Sequence, residues 1–171
     1  IGMKDIRIIS LKNGKIGLFT RPQGSIGGRG RIGFMIISTL SELSKLRDEE
    51  YYLAPLINFQ LCEKEWIGAN ALYNLPNDLI GVLGHIASFS NNFEKNYYPL
   101  AFTFNYVTGE ISKAKIIASR ANLPQGESKR AELKNILFPG GIIRNNDGTA
   151  KLYIGAGDAE AYELLIKDPF V

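Results

Sequence analysis

Three strand-like segments of this sequence each end on a polar side chain with its own chemistry: Arg21, His85 and Asp158. A guanidinium group binds anions and polyhydroxylated ligands through paired N–H donors. An imidazole exchanges protons near neutral pH, and a carboxylate accepts hydrogen bonds from hydroxyl groups. If corresponding strands of a repeated unit face one central axis, these three side chains converge on one pocket.

Each of these segments follows a turn signal, which indicates a repeated hairpin. The turns are Asn13-Gly14, Asn77-Asp78 and Asp147-Gly148, and such pairs supply the positive φ angles of tight two-residue hairpins. A hairpin repeated at this long period, with short strands throughout, favours large β-propeller blades over a sandwich. The sequence therefore predicts an all-β chain in which residues 1–171 form one domain without an internal boundary.

The predicted blades fill only part of a ring. A propeller needs at least about four blades, whereas this chain has room for about two and a half blades of four-stranded antiparallel sheet. An open half-ring exposes sheet edges and faces. We therefore expect the chain to pair with another chain or with a missing first half. Ile1 in place of an initiator Met indicates an internal cut in a longer protein, with Met3 as an initiator the alternative.

A carboxylate beside an indole, Glu65-Trp66, has the chemistry of a sugar site. The indole stacks on a pyranose face, and Asn70 is a candidate partner for sugar hydroxyls. Inverting glycosidases need two carboxyl groups roughly 6.5–9.5 Å apart, and Asp5 or Asp158 are the candidates for the second. The alternatives are a core tryptophan with a solvated neighbour and, for Asp158, a turn-capping aspartate.

Several cationic side chains are further candidates for ligand binding. Arg21, Arg29 and Arg31 flank or occupy a glycine-rich loop that lacks the strand–helix setting of a dinucleotide site, so they either bind an anionic or polyhydroxylated ligand or belong to a flexible solvated loop. Arg144 lies near Lys129-Arg130, as surface charge or as a carboxylate or phosphate contact. His85, the single histidine, is either a pocket residue or a core residue, and it excludes a multi-histidine metal site.

The composition of the chain argues against several functional classes of protein. The net charge of +3 is dispersed along the chain, which argues against nucleic-acid binding. The longest apolar stretches, such as residues 32–37, fall far short of the roughly 20 residues of a membrane helix, and no signal peptide is visible. Because Cys62 is the single cysteine, no intrachain disulfide forms, and we expect a cytoplasmic protein without a cofactor.

The hairpin phrases, read with their neighbours, resemble the β-mannoside phosphorylase family of glycoside hydrolases, which are five-bladed propellers. The matching phrases are Lys4-Asp5 followed by Arg21-Pro22, the strand 79–85, and Phe138-Pro-Gly-Gly141 followed by residues 152–158. An uncharacterised bacterial family related to those enzymes is more similar still. It is matched by residues 3–7, 19–24, 65–66, 81–87 and 129–130.

The resemblance implies that this chain is the C-terminal half of a propeller that cleaves a mannoside-like bond with inversion. In the phosphorylases, inorganic phosphate attacks the anomeric carbon while an aspartate from the N-terminal half acts as general acid. His85 matches the family's phosphate-site histidine, and Asp158 matches its late sugar-binding aspartate. The family's lysine near Glu65-Trp66 is absent here, which leaves room for hydrolysis with Glu65 activating water.

The expected ligands are thus an oligosaccharide or glycoside and inorganic phosphate, and the isolated half is expected to be inactive. Two other hypotheses remain open at this point. One is a carbohydrate-binding propeller without catalysis, which keeps Trp66, Asn70, His85 and Asp158 for binding. The other is a structural half that completes a ring with a partner chain.

Overall fold

The chain folds into three antiparallel sheets in the computed structural model, which describes residues 2–90 and 94–171. The first sheet contains β1 (Arg7–Ser10), β2 (Ile16–Thr20) and β3 (Gly33–Ile37). The second contains β4 (Glu65–Asn74), β5 (Leu79–Phe89), β6 (Lys95–Asn105) and β7 (Lys115–Ile116). The third contains β8 (Leu137–Arg144), β9 (Thr149–Ala156) and β10 (Glu160–Lys167). The all-β prediction is confirmed.

Helical structure is minor in the described residues. It consists of α1 (Asp48–Tyr52) and three single turns of 3₁₀ helix at Leu40–Glu42, Arg120–Asn122 and Ala131–Leu133. None of these helices is long and apolar enough to cross a membrane.

The second sheet lies between the other two and is buried on both faces. Ile80 and Val82 of β5 belong to a core shared with the first sheet, whereas Leu83, which points to the opposite face, belongs to a core shared with the third sheet. Because successive side chains of a strand alternate between faces, a strand between two cores is apolar throughout. This accounts for the unbroken apolar run of β5.

The hairpin turns lie where the sequence predicts them but are longer than two residues. Leu11 N–H donates to Lys15 O at 2.8 Å, and Asn145 N–H donates to Thr149 O at 2.9 Å, so each loop holds three residues. The glycine at the end of each loop, Gly14 or Gly148, takes the positive φ of about 80°. A turn followed by a left-handed residue is the usual geometry of a three-residue hairpin loop.

The first strands of the three sheets lie side by side. β1 contacts β4, and β4 in turn contacts β8, so these three strands form the inner edge of the arrangement. The sheets contain three, four and three strands rather than four each. At the free edge of β3, Gly33 pairs with Leu56 in an isolated bridge, the start of a fourth strand. Residues from neighbouring sheets therefore meet around β4.

Candidate functional site

A β-bulge in β4 places Asn70 beside His85. Ala69 and Ala71 pair with consecutive residues of β5, so Asn70 is the extra, unpaired residue between them. Its side-chain Oδ1 lies 2.8 Å from Nδ1 of His85, and its carbonyl oxygen accepts a 2.7 Å hydrogen bond from Nε of Arg7. Bulges commonly re-aim a side chain in this way. Here the bulge builds a polar contact into an otherwise apolar sheet.

Arg21 follows β2 and crosses from the first sheet to β4. The side chain is buried, and Nε donates to the carbonyl oxygen of Ile67 at 2.8 Å. Nη1 forms an ion pair with Asp5 at 2.5 Å. Asp5 itself has a positive φ of 50°, a backbone conformation that is uncommon outside glycine. The pair fixes the guanidinium and compensates part of its charge.

Gly68 brings Arg21 and His85 together. A Cβ atom at position 68 would lie 2.6 Å from Cε1 of His85 and 2.9 Å from Nε of Arg21, which no side chain tolerates. The imidazole also stacks on Tyr97 with ring centroids 5.4 Å apart, and Phe138 contacts it at 5.0 Å. Two of the three strand-end residues thus meet across β4, although they belong to different sheets.

The environment of His85 keeps its imidazole neutral at physiological pH. Burial of the ring, and next the charge of Arg21, lower the pKa of His85 to about 4, with Arg7 acting in the same direction and Asp5 against it. Only 1% of the residue is exposed. A ring in this state accepts or donates hydrogen bonds without carrying charge.

A cavity of about 220 Å³ opens next to Arg21 and is called the basic pocket here. Its lining consists of Lys4, Arg21, Gln23, Arg29, Trp66, Phe89, Lys95 and Tyr97. Four of these described residues are cations and none carries a carboxylate. An anion site requires positively charged side chains and several N–H donors in one cavity, and this cavity has both.

Trp66 forms the wall of the basic pocket rather than an open stacking surface. It is 6% exposed, and its indole N–H donates to the Tyr97 hydroxyl at 3.3 Å. The Arg29 guanidinium lies 5.9 Å from the Trp66 ring centroid and 4.9 Å from that of Phe89. These cation–π contacts hold Arg29 over the pocket.

The glycine-rich loop between β2 and β3 has a defined path set by its backbone. Gly24 and Gly28 exchange hydrogen bonds of 2.7 and 2.8 Å, and Gly30 O accepts from the Ile67 amide at 3.1 Å. At Gly30, where φ is +145°, a Cβ atom would lie 2.8 Å from Nε of Arg21. The loop therefore packs its backbone against the guanidinium and presents Arg29.

Several sequence candidates lie outside the lining of the basic pocket. Asp5, Asn70 and His85 are among them, although they are linked to Arg21 or to one another. The others are Glu65, Asp158 and Arg144. Glu65 closes the turn before β4, where its Oε2 accepts a 2.9 Å hydrogen bond from the Cys62 amide. Asp158 lies in the exposed turn between β9 and β10 with φ of 54°. Arg144 pairs with the buried carboxylate of Asp168 at 2.6 Å.

Arg7, Lys4, Lys95 and Tyr97 belong to the site but were not among the sequence candidates. The alternation of half-buried and exposed side chains along β1 is the sequence signal that could have indicated Arg7. Lys95 and Tyr97 lie on β6, and the sequence gives no signal for the register of the long β5–β6 hairpin. In the described part of the chain, no group of three or more His, Cys, Asp or Glu side chains is placed to hold a metal ion.

Comparison with known proteins assigns the chain to a family. Residues 1–171 match the family model described as a protein of unknown function (DUF1861). The chain belongs to the DUF1861 family. No curated protein matches the sequence.

Solved structures share the fold over nearly the whole chain. A mannose phosphorylase from Leishmania mexicana, determined in complex with a phosphate ion, is 32% identical with a TM-score of 0.86. A hypothetical protein from Leishmania major is 31% identical with a TM-score of 0.84. A GDP-Man-dependent mannosyltransferase from Leishmania mexicana is 30% identical with a TM-score of 0.83. Each match covers 98% of this chain and 52% of the other.

This DUF1861 chain thus spans about half the length of these solved relatives. Two of them process mannose, one as a phosphorylase and one as a transferase. The resemblance to mannoside-processing enzymes that the sequence indicated is therefore confirmed as a shared fold over this half of their length.

The low pKa of His85 predicts that the folded chain loses stability in acid. The unfolded chain protonates this ring near its ordinary pKa of 6.5, whereas the folded chain does so only near 4. Between these values the unfolded state binds more protons, so the free energy of unfolding falls as the pH is lowered, by about 3 kcal/mol. Urea unfolding at pH 7 and pH 4 measures this fall, which we expect to be smaller by that amount in His85→Gln. An identical pH dependence in both proteins contradicts the prediction.

Proposed function

We propose that this chain supplies the phosphate-binding part of the active site of a mannoside-processing propeller enzyme. The observation that carries the proposal is the basic pocket, with Lys4, Arg29 and Lys95 around the fixed guanidinium of Arg21. A pocket of about 220 Å³ suits inorganic phosphate or the phosphate group of a sugar phosphate. The phosphate ion in the related mannose phosphorylase agrees with this ligand class.

The charge state of the lining supports an anion over a neutral sugar at this position. Asp5 compensates Arg21 through their ion pair, while Lys4, Arg29 and Lys95 stand without a carboxylate in the lining. Cations gathered around a small cavity repel one another, and a bound anion relieves this repulsion. The polar basic pocket is therefore a site for the charged co-substrate.

The proposed reaction is inverting phosphorolysis of a β-mannoside. A phosphate oxygen forms a bond to the anomeric carbon as the bond to the glycosidic oxygen breaks, and a general acid gives that oxygen a proton. The products are α-mannose 1-phosphate and the shortened sugar. By the family resemblance, the acid comes from the N-terminal half. Asp158 remains the proposed sugar-binding residue of this half.

The position of Glu65 favours phosphorolysis over hydrolysis. A general base must reach the water that it activates, but the Glu65 carboxylate accepts the Cys62 amide at the turn before β4. Glu65 also neighbours Trp66 on a strand, so the two side chains point to opposite faces. Likewise, the buried indole offers little support for the hypothesis of a purely carbohydrate-binding propeller, because its faces are covered by Arg29, Phe89 and Tyr97.

The three sheets are proposed to be three blades of a five-bladed ring, with residues 1–171 as its C-terminal half. The outer face of the third sheet carries two exposed apolar side chains, Ile143 at 56% and Leu165 at 70%, on either side of Lys151, which forms an ion pair with Glu163 at 3.1 Å. The solved relatives contain a second half of similar length. We propose that this second half, in the same protein or as another chain, covers the exposed face.

Removing one pocket cation is expected to weaken phosphate binding. Arg29→Ala loses a charge-assisted hydrogen bond, which raises the dissociation constant about tenfold or more. Arg31→Ala is the matched control, because this arginine is an exposed residue of the same loop and does not line the pocket. Isothermal titration calorimetry with inorganic phosphate measures both variants. Equal effects of the two substitutions, or no phosphate binding by the unaltered chain, contradict the proposal.

Mannosyl transfer is expected only when the acid-bearing half is present. The assay supplies α-mannose 1-phosphate and a β-mannoside acceptor and measures the release of inorganic phosphate. We expect release from the chain combined with the second half and none from the chain alone. Cleavage of the β-mannoside at the same rate in phosphate-free buffer identifies a hydrolase instead.

Ring completion predicts that the isolated chain associates through the outer face of its third sheet. Its native mass is expected to exceed 18.9 kDa. Leu165→Lys places a charge on that face and is expected to shift the chain towards the monomer. Leu53→Lys changes a leucine that is equally exposed, at 71%, but lies outside the third sheet, and serves as the control. Light scattering after gel filtration measures the mass, and a monomeric unaltered chain at all concentrations contradicts the prediction.

A further inference from the structure

The arginines that line the basic pocket are held in different ways. Arg21 is buried and forms an ion pair with Asp5. Arg29 is an exposed residue of the glycine-rich loop, and none of the ion pairs in the described part of the chain includes it. Its guanidinium lies instead 4.9 Å from the ring centroid of Phe89 and 5.9 Å from that of Trp66. These two rings, called the aromatic shelf here, take the place of a counter-charge at Arg29.

The main chain on both sides of the Arg29 side chain is fixed, which leaves the side chain as the variable part. Nε2 of Gln23 donates to the Arg29 carbonyl oxygen at 2.8 Å, and the carbonyl oxygen of Gly30 accepts from the Ile67 amide at 3.1 Å. An arginine side chain has many rotamers, and ordering it costs conformational entropy. Because the aromatic shelf restricts these rotamers in advance, less entropy is lost when a ligand binds.

The aromatic shelf orients Arg29 without neutralising it. The face of an aromatic ring attracts a cation through its quadrupole but carries no net charge. A carboxylate in the same place would compensate the guanidinium and repel an incoming anion. The charge of Arg29 therefore remains available to an anion in the basic pocket, whereas the charge of Arg21 is partly compensated by Asp5.

Phe89 is the ring of the aromatic shelf that lies nearer to Arg29. It is half-buried at the end of β5 and packs on Trp66 with ring centroids 5.1 Å apart. Trp66 is buried and also donates to the Tyr97 hydroxyl, so it is part of the pocket wall as well. The phenyl ring of Phe89 has no hydrogen-bonding group, so any effect that it has on an anion must pass through a neighbouring cation.

We propose that Phe89 is a positioning residue that orients Arg29 towards a phosphate group in the basic pocket and leaves the charge of Arg29 uncompensated. The identity of the ligand rests on the proposed function, whereas the position of Arg29 over the Phe89 ring is a property of the chain alone. Of the arginines in the lining, Arg29 supplies charge to the ligand, and Arg21 with Asp5 forms the fixed wall beside it.

Phosphate affinity measures what the Phe89 ring contributes. Phe89→Leu keeps an apolar side chain but removes the aromatic face, and we expect the dissociation constant for inorganic phosphate to rise about two- to fivefold, the size of one exposed cation–π contact. Phe89→Tyr keeps the ring and is expected to retain the affinity. Phe59→Leu is the matched control, because Phe59 is also half-buried, packs on Phe102 and does not line the pocket. Isothermal titration calorimetry measures the series, and an unchanged affinity in Phe89→Leu overturns the proposal.

A double-mutant cycle tests whether Phe89 acts through Arg29. In the Arg29→Ala background, Phe89→Leu is expected to cause no further loss of phosphate affinity, because the group that the ring orients is gone. The same fold-change with and without the arginine overturns the proposal, since it leaves Phe89 with a structural role only.

The position of Arg29 is observable without a ligand. Protons above an aromatic face resonate upfield in NMR spectra, so we expect the side-chain protons of Arg29 upfield of their usual positions in the unaltered chain and in Phe89→Tyr. Phe89→Leu is expected to move them towards the usual positions, and Phe59→Leu to leave them in place. Unmoved Arg29 signals in Phe89→Leu overturn the inference, whichever anion binds. Moved signals together with no phosphate binding by the unaltered chain support the role of Phe89 but contradict the proposed function.

Discussion

Two guanidinium groups of the first sheet donate to main-chain carbonyls of β4, and the candidate site depends on these bonds. Arg21 reaches Ile67 O, and Arg7 reaches Asn70 O. A hydrogen bond from a charged donor contributes about 1.5–3 kcal/mol when formed, and its loss leaves a buried charge uncompensated. The ion pair with Asp5 offsets part of the free-energy cost of burying the Arg21 charge. These bonds link the first sheet to β4 beside the basic pocket, in addition to the apolar core that the two sheets share.

Most of the strands and their turns were predictable because their signals are local. Alternation of apolar side chains and the glycines at positions 14 and 148 report on neighbouring residues only, and the structure has hairpins at those positions. The meeting of Arg21 and His85 was predictable for a different reason, although the same reasoning also placed Asp158 with them, and the structure has Asp158 in the exposed turn between β9 and β10. The repeated hairpin places equivalent strand ends on one side of the molecule, so an internal repeat carries information on distant contacts that a single strand does not.

The remaining site features depend on register, which the sequence does not display. Trp66 pairs with Ala87 and Leu72 pairs with Val82, so the bulge at Asn70 puts the two on opposite faces although their positions are an even number apart. Uninterrupted alternation would have placed them together. The ion pair of Arg144 with Asp168 likewise joins the end of β8 to residues beyond β10, a contact that no local pattern reveals.

Gly68 gives this arrangement a signature that can be read in sequences without a structure. Its hydrogen atoms leave the space in which the imidazole and the guanidinium lie side by side, and its carbonyl oxygen in turn leaves no room for a side chain at Gly84. A homologue with a larger residue at position 68 must move Arg21 and His85 apart, and one with a larger residue at position 84 must also shift the backbone of β4. In a family alignment, glycine at positions 68 and 84 thus marks the members in which Arg21 and His85 can lie side by side. Larger residues there mark members that share the fold without this geometry.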